Sequence, residues 1–477
     1  MRDLILAEID FFTGLLGFLV LCAIITFILK KTTKFDTFFL ITLIRTKKPL
    51  AFFDRMAKHT KILDAFALLG LIIGFGAISV DFFWGRKLKL RERIILFFGS
   101  FSVLSGAFLA VDIFFGNVFS ANLLIGNMFP LLVISFGLMG LAGFTLFSLF
   151  MQAFDIVGKY LIGTRSCPGV APLIPGVEIP GVPITPPLHA WISLLIILLV
   201  HEGMHGIVGR RHGFTIKNAG VILFGFLPIG AFVEPDEKEI AKEKDEKVLP
   251  FLAAGPMSNL VVMVFAGIIL FGALSFSGPL TEHFYPGLQD NFFSGVKVVK
   301  VLEETEFCGT VYAAPAFAKL NEGDLIKGIS GVAVNSPQAL FVELQKDRLK
   351  EKTFSLERNS EQISITLQPN EIGQFGFVPE GIRNESIQIP ESYPTYALAI
   401  GLFIEFVFWL FLLNFLVAAI NFLPMHPFDG GRMAKLLFVP YLGFLNISKE
   451  QKQEKITKFF LYIILALFVI NALPLFF

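Results

Sequence analysis

The feature that most constrains this chain is its series of apolar segments, each long enough to cross a lipid bilayer as a helix. Hydrophobic residues make up 54% of its 477 residues, and charged residues make up 17%. This composition is too apolar for a soluble protein and predicts a polytopic α-helical membrane protein embedded in lipid. The net charge of +1 gives no indication of nucleic-acid binding. We count about eight apolar spans, near residues 11–29, 63–83, 94–115, 123–150, 188–210, 249–276, 396–422 and 459–477.

The positions of the basic residues predict which ends of these spans face the cytoplasm. A linker rich in lysine and arginine, residues 30–61, follows the first span. We therefore expect this linker in the cytoplasm and the acidic N-terminus outside. In the same count the basic segment Arg86–Arg91 falls outside, which conflicts with the positive-inside rule. Either this segment is an exception, or one of the neighbouring spans does not cross the membrane.

One motif carries the chemistry of a metal site. Residues His201 to His205 read His-Glu-Gly-Met-His and directly follow the uncharged apolar run Trp191–Val200. On a helix, residues four apart lie on one face, so both imidazoles can bind one zinc ion. Glu202 lies beside them and can act on a water molecule at the metal. Such polar groups are costly at membrane depth unless something holds them there, which favours a metal over two histidines that merely satisfy neighbours.

A catalytic zinc site needs about three protein ligands, so one more is expected elsewhere in the chain. Asp429 is our choice, because it is an acid in an apolar setting and is flanked by the helix-breaking residues Pro427 and Gly430–Gly431. Its helix and the histidine helix both run from outside to inside, so both clusters should reach the same depth near the cytoplasmic side. The alternatives are a helix-capping role for Asp429, or a third ligand from His426, His212 or Glu234.

Asn421 precedes Asp429 in the same polar cluster. It can donate a hydrogen bond to the oxyanion formed during attack on a peptide bond, or it can form a bond between helices. Zinc would activate water and polarise the scissile carbonyl, and Glu202 would carry the proton to the leaving amine. These residues together predict a zinc-dependent peptidase.

Charge rises and apolar runs shorten between about residues 289 and 389. The pattern predicts a strand at Gly295–Val301, a helix capped by Ser336 with Pro337 at its first position, and a hairpin around Arg358–Glu361. We read this as a small soluble α+β module. It resembles a PDZ domain, above all at Asn321–Ile326, and PDZ domains bind extended peptides or free carboxyl termini by strand addition. The alternative is a packing module without a ligand.

Three further features of the sequence lie outside these motifs. The segment 161–187 is rich in proline and glycine, so we read it as an extended external loop. Segment 221–232 is too short and too broken to span, and we read it as a re-entrant loop beside the metal. The three cysteines have no CxxC spacing, so we expect neither a zinc–thiolate site nor a disulfide framework from Cys22, Cys167 and Cys308.

Four features together resemble the site-2 protease family of intramembrane zinc metalloproteases. They are the His-Glu-Gly-Met-His motif, the later Asn-x-x-Pro followed by Asp-Gly, the segment Ala254–Asn259, and the PDZ-like module between the two halves. The resemblance covers about residues 188–435, and Phe428 stands where this family commonly has leucine. It implies that the segment after the first motif is a membrane-re-entrant loop that presents an extended substrate. It also implies zinc ligation by His201, His205 and Asp429, with Glu202 and Asn421 as catalytic residues.

The implied organisation has five parts. We expect N-terminal transmembrane helices at 1–160, the external loop at 161–187, the first catalytic half at 188–288, the PDZ-like domain at 289–389 and the second catalytic half at 390–477. The resemblance implies a substrate that is a transmembrane helix of another protein, with the PDZ-like domain outside and excluding bulky ectodomains. The alternatives are a membrane-anchored zinc peptidase that cuts soluble or juxtamembrane segments, and a non-catalytic PDZ-containing membrane scaffold.

Overall fold

A computed structural model describes residues 2–33, 35–114, 128–179, 182, 184–308 and 310–476. Long helices dominate this part of the chain, together with several short ones. The α-helices are α1 Arg2–Thr32, α2 Leu50–Met56, α3 Thr60–Phe83, α4 Leu90–Phe114, α5 Phe129–Leu161, α6 Ala190–Arg211, α7 Glu237–Ile240, α8 Asp245–Phe284, α9 Leu288–Asn291, α10 Pro337–Gln345, α11 Tyr393–Phe422, α12 Asp429–Leu437 and α13 Lys449–Ala472.

Seven helices in the described part of the chain are long and apolar enough to cross a membrane. They are α3, α4, α5, α6, α8, α11 and α13, and they correspond to seven of the eight expected spans. The remaining expected span, near residues 11–29, lies within α1, which is not one of the seven. The polytopic helical class is therefore confirmed, with seven candidate spans rather than eight.

The chain divides into two compact units. The first contains residues 1–153, 186–267 and 406–470, and the second contains residues 154–185, 268–405 and 471–477. Two helices, α3 and α5, contain a break inside the first unit, at Gly76 and at Met139–Gly140 respectively. The other described helices that could span show no such break.

The first unit also contains an antiparallel sheet of four strands in the order β1-β2-β3-β4. Segment 221–232, which the sequence predicts as a re-entrant loop, forms most of two paired strands, and its place in the membrane stays a prediction. Pairing within the sheet satisfies the backbone groups that a loop would leave free. Part of the basic linker contributes the other two strands, which the sequence analysis missed. The strands are β1 Asp36–Phe38, β2 Ile41–Thr46, β3 Ile216–Phe224 and β4 Leu227–Pro235.

The second unit contains the small α+β domain expected near residues 289–389. Its main sheet has the order β11-β10-β8-β5-β12, with β9 paired to β8, and β6 pairs with β7 in a separate hairpin. A core that includes Val298, Ile326 and Phe354 lies against this sheet. The strands are β5 Phe293–Val301, β6 Glu304–Phe307, β7 Thr310–Ala313, β8 Leu325–Ile329, β9 Val332–Ala333, β10 Lys352–Arg358, β11 Glu361–Leu367 and β12 Phe377–Arg383.

Local signals in this domain predicted its elements well. The Ser336 hydroxyl accepts a hydrogen bond from the Ala339 N–H at 3.2 Å and so caps α10, with Pro337 as the first helical residue. The hairpin β10–β11 turns at Asn359 and Ser360. Residues 315–319, which precede β8, form turns. An α+β domain is thus present, while its likeness to PDZ domains stays a prediction.

One expectation about the cysteines is wrong. Cys167 and Cys308 form a disulfide, although 141 residues separate them in sequence. The bond joins the segment rich in proline and glycine to the β6–β7 hairpin, and the Thr310 hydroxyl donates to the Arg165 carbonyl beside it at 3.2 Å. Spacing along the chain could not reveal this pair, because the fold alone brings the two cysteines together. Cys22 is a buried free cysteine.

A candidate metal site

The two histidines of the motif lie on one face of α6, as their spacing predicts. Both side chains are buried, with His201 and His205 each 7% exposed. Their Nε2 atoms point toward each other and lie 3.3 Å apart. Because α6 continues unbroken from the apolar run into the motif, the helix itself carries both rings to the same place.

Asp429 provides a third donor atom at the same point. It is the first residue of α12, and its Oδ2 lies 3.2 Å from His201 Nε2 and 3.0 Å from His205 Nε2. Across all the residues described, these three form the single group of three such side chains placed to hold a metal. The structure therefore brings together the three residues that the sequence analysis chose as ligands.

The three distances fit a divalent metal. Zinc binds histidine nitrogen and carboxylate oxygen at about 2.0–2.1 Å, so neighbouring ligands of a tetrahedral ion lie about 3.3 Å apart. The three edges here measure 3.3, 3.2 and 3.0 Å. Hydrogen bonds alone would explain two of these edges, from Asp429 to each ring, but they leave the close approach of the two Nε2 atoms unexplained. Two imidazoles and one carboxylate also match the usual donor set of catalytic zinc.

The outer nitrogens of both rings are engaged by α8. His205 Nδ1 lies 2.9 Å from the Phe251 carbonyl oxygen, and His201 Nδ1 lies 3.0 Å from the side-chain amide of Asn259. A carbonyl can only accept, so His205 carries its proton on Nδ1 and leaves the Nε2 lone pair for a metal. Phe251 and Asn259 thus fix the orientation of the two rings.

The amide of Asn259 can serve His201 in the same way. This side chain is fully buried, and its Oδ1 has no hydrogen-bond partner. The nitrogen and oxygen of an amide have nearly the same shape, so exchanging them places Oδ1 against the His201 Nδ1–H. In that orientation the His201 Nε2 lone pair also faces the metal position.

Gly255 lets α8 approach the two rings closely. A Cβ atom built at this position would lie 2.7 Å from His201 Nε2, closer than real side-chain carbons come. Any larger residue would push α8 away from α6. Segment Ala254–Asn259 carries part of the family resemblance, but nothing in the sequence assigns a role to Gly255 or Phe251. The polar side chain of Asn259 within an apolar run was the available signal for the residues that orient the two rings.

Glu202 lies beside the histidines, and its carboxylate is held by the sheet. Its Oε2 accepts a hydrogen bond from the Val233 N–H at 2.9 Å. Val233 belongs to β4, which is one of the two edge strands of the sheet. Val233 directly follows segment 221–232, so the strand that ends this segment contacts Glu202, and its place beside a metal stays a prediction.

Asn421 lies near the end of α11, outside the group of three donor atoms. Its side-chain nitrogen donates to the Val417 carbonyl of the same helix at 2.9 Å. The three rival ligands also lie outside the group. Glu234 is occupied by Asn218, whose side-chain nitrogen donates to it at 3.0 Å, and the other two rivals are His426 and His212.

Comparison with known proteins gives two matches. The family model for peptidase family M50 matches residues 189–471. An uncharacterised protein of Methanocaldococcus jannaschii is 28% identical over 317 residues, which cover 65% of this chain and 71% of that protein. The matched family region contains both histidines, Glu202, Asn421 and Asp429.

Proposed function

This chain belongs to peptidase family M50, the site-2 protease family, and on that premise we propose that it hydrolyses peptide bonds within transmembrane segments of other proteins. Membership makes it a membrane metalloprotease. The observation that carries the finer proposal is the triangle of His201 Nε2, His205 Nε2 and Asp429 Oδ2, buried among helices that are long and apolar enough to span a membrane.

His201, His205 and Asp429 would hold the zinc ion. When bound, zinc acts as a Lewis acid that lowers the pKa of water and polarises a carbonyl group. Two neutral imidazoles and one carboxylate neutralise only one of its two positive charges, so the site retains a net positive charge for this purpose. Phe251 and Asn259 keep both rings in the orientation that this ligation needs.

Glu202 is the proposed proton carrier. Its carboxylate takes a proton from the attacking water and delivers it to the nitrogen of the leaving amine. The hydrogen bond from Val233 fixes the direction of this carboxylate while the site is at rest. A group that must transfer protons twice per turnover benefits from such a fixed position.

Asn421 is the proposed donor to the oxyanion. A side-chain amide carries two N–H hydrogens, and the Val417 carbonyl uses one of them. The second hydrogen is then the one that would stabilise negative charge on the substrate oxygen. This role predicts an effect on turnover with little effect on zinc binding.

The substrate must be extended at the cleaved bond, because an intact helix hides its carbonyls. Backbone groups freed in lipid cost several kcal/mol each unless they find partners. The free edge of β4, next to Glu202, offers such partners by strand addition. We therefore expect helix-breaking residues in a substrate to favour cleavage.

The disulfide supports an orientation for this proposal. Disulfides persist in oxidising compartments and are rare in the cytosol. Cys167 and Cys308 are bonded to each other, so the loop at 161–187 and the α+β domain would lie outside. The active site would then open toward the cytoplasmic side, because α6 ends there in Arg210 and Arg211.

The decisive experiment combines metal analysis with cleavage of a transmembrane substrate in proteoliposomes. We expect wild-type protein to retain one zinc ion per chain and to cut within the apolar segment. Glu202→Gln should retain zinc but lose about 10²–10⁴-fold in rate. Equal rates for the two proteins would remove Glu202 from the mechanism, and cuts only outside the apolar segment would exclude the proposed substrate class.

A further inference from the structure

The helix α5 bends back on itself too strongly to cross a membrane in one pass. The ring of Phe108 on α4 lies 6.2 Å from that of Phe129 and 5.7 Å from that of Phe144, measured between centroids. Fifteen residues of a straight helix span about 22 Å, so one ring could not contact both positions. The chain must therefore double back between Phe129 and Phe144.

The reversal lies at the break in α5. Met139 and Gly140 have non-helical dihedral angles, and Gly140 has φ 54° and ψ −142°, a conformation that only glycine adopts easily. After the break the chain returns alongside itself. A Cβ built on Gly143 would collide with the carbonyl of Ser135, eight residues earlier. Residues 129–153 thus form a hairpin of two half-helices.

The helix α3 has the same break at Gly76, with φ 56° and ψ −145°. The two breaks touch each other. A Cβ built on Gly76 would lie 2.7 Å from the backbone nitrogen of Gly140, and a Cβ on Gly140 would meet the backbone of Gly74 in return. The two helices therefore break with nearly the same backbone dihedral angles, and they contact each other at these breaks.

Polar bonds tie both ends of α3 to the core that holds the metal ligands. Near its start, Asp64 accepts a hydrogen bond from Arg211, the last residue of α6, at 2.7 Å. Near its end, Asp81 accepts one from the Tyr441 hydroxyl at 2.6 Å. Arg93, at the start of α4, donates two further bonds to Asp81 at 2.6 and 2.7 Å.

Arg211 lies four residues before Thr215, whose N–H donates to Glu239 at 3.0 Å, so the end of α6 lies beside the charged segment 236–247. We call this side of the first unit the catalytic face. In the sequence, Tyr441 lies between two basic residues, Arg432 and Lys449. Both of these pair with the charged segment 236–247, which follows α6 and the sheet. Arg432 pairs with Glu237 at 2.9 Å, and Lys449 pairs with Asp245 at 3.1 Å. A helix whose two ends both reach this face has entered the membrane and left it on the same side.

Burial and charge agree with this path. Every residue from Gly74 to Phe82 is buried, and non-helical backbone at membrane depth is tolerated only where protein covers it. The neighbouring α4 is almost wholly exposed along its apolar length, as expected of a helix that crosses lipid. If α3 returns to the catalytic face, the basic segment Arg86–Arg91 lies there too, which removes its conflict with the positive-inside rule.

We infer that α3 and α5 are re-entrant helical hairpins that enter the membrane from opposite faces and meet at Gly76 and Gly140. Only α4 crosses the membrane between them. The tip of α3 then lies under residues 423–428, the turn between α11 and the proposed ligand Asp429, which we call the metal-binding turn. Gly74 contacts the ring of Phe422, whose carbonyl adjoins Gly430. The N-terminal part of the chain, outside the family match, thereby supports the ligand Asp429.

Cysteine labelling in sealed vesicles tests this topology without any need for enzyme activity. The background is full-length Cys22→Ser protein with the Cys167–Cys308 disulfide intact. Single cysteines replace Lys58 before α3, Lys87 after α3 and Met128 before α5, and Lys242→Cys marks the catalytic face. A membrane-impermeant maleimide is applied from each side in turn, and detergent-opened vesicles give the full signal.

We expect the cysteines at Lys58, Lys87 and Lys242 to label from one side and the cysteine at Met128 from the other. If α3 crosses instead, Lys87→Cys labels from the side opposite to Lys58→Cys, and Met128→Cys joins Lys58→Cys. That pattern overturns the inference. Protection of Lys87→Cys from both sides would also overturn it, because the segment would then lie inside the membrane. A loss of proteolysis has no bearing on either result.

Discussion

At the scale of single residues, the candidate metal site depends on side chains outside the group of three donor atoms. Asn259 holds the outer nitrogen of His201, and it is fully buried. We expect Asn259→Leu to weaken zinc binding by about 10–100-fold, as loss of an outer partner typically does. The measurement is competition for zinc with a calibrated chelator.

A matched control distinguishes this effect from general damage to the fold. Asn414 is equally buried in α11, and its amide donates to the Leu410 carbonyl of its own helix. Asn414→Leu should therefore leave zinc affinity unchanged. If both variants lose zinc to the same extent, the effect comes from packing, and Asn259 has no specific part in orienting His201.

The sequence predicted the inner residues of this site better than the outer ones. The spacing of His201 and His205 suffices to place both rings on one face of a helix. Asp429 lies more than two hundred residues away, so its apolar setting and its helix-breaking neighbours marked it as a candidate, while its distance from the two rings could not be read from the sequence. The partner of His205 is the backbone carbonyl of Phe251, and a backbone carbonyl leaves no mark in a sequence.

At the scale of elements, close packing of α3 against the metal-binding turn gives a prediction. A Cβ on Gly74 would overlap the ring of Phe422. We expect Gly74→Ala to lower the free energy of unfolding by about 1–3 kcal/mol, the usual cost of overpacking. Thermal unfolding and zinc retention after dialysis are the measurements.

Two further variants make this test specific. Gly106 on α4 has open space around its Cα, so Gly106→Ala should be harmless. Removing ring volume in the double variant Gly74→Ala with Phe422→Leu should restore part of the lost stability. If the double variant is only as stable as the sum of its single changes predicts, the two positions do not contact as described.

A second prediction at this scale concerns β8. Asp324 precedes this strand, and Arg358 donates two bonds to it at 2.7 Å. Burial alone would raise the pKa of Asp324, but the Arg358 guanidinium and the Asn321 N–H outweigh it and lower the pKa below its usual value. A lowered pKa in the folded state means that the charged carboxylate stabilises the domain above about pH 4.

This stabilisation should fade as pH falls from about 4 through the lowered pKa of Asp324. Hydrogen exchange of residues 325–329, corrected for the intrinsic effect of pH, measures it. Asp324→Asn should cost about 3 kcal/mol at pH 7, because it strips Arg358 of its partner, and should flatten the pH dependence. Asp347→Asn, at a surface pair with Lys350, should change neither quantity. An unchanged pH profile in Asp324→Asn would contradict this account.

The sequence predicted elements where the signal was local and missed them where pairing was distant. The cap at Ser336 and the hairpin turn at Asn359–Ser360 depend on residues a few positions apart, and both are present. The pairing of β2 with β3 joins residues 41–46 to 219–224. In neither segment do apolar and polar residues alternate clearly enough to predict a strand. The two halves of one sheet were therefore predicted as a linker and a loop.

At the scale of the whole molecule, the proposed catalytic residues and the disulfide lie in different units. All three proposed ligands, Glu202 and Asn421 belong to the first unit, whereas the disulfide belongs to the second. A change confined to the second unit should therefore leave zinc binding intact. This separation also explains why the disulfide could not be deduced from the catalytic motifs.

Breaking the disulfide tests that separation. In Cys167→Ser the segment 162–179 loses its covalent bond to Cys308 and keeps hydrogen bonds, among them the one from Thr310 to the Arg165 carbonyl and the one from the Gly169 N–H to the Asn471 carbonyl. We expect trypsin to cut after Arg165 about ten times faster or more, since each 1.4 kcal/mol of lost local stability raises the open fraction tenfold. Mass spectrometry of timed digests gives the rate, and chelator competition should give an unchanged zinc affinity.

Cys22→Ser is the control, because Cys22 forms no disulfide and lies in the first unit. Equal trypsin rates would show that the disulfide does not restrain this segment, whereas lost zinc affinity would show that the second unit reaches the metal site.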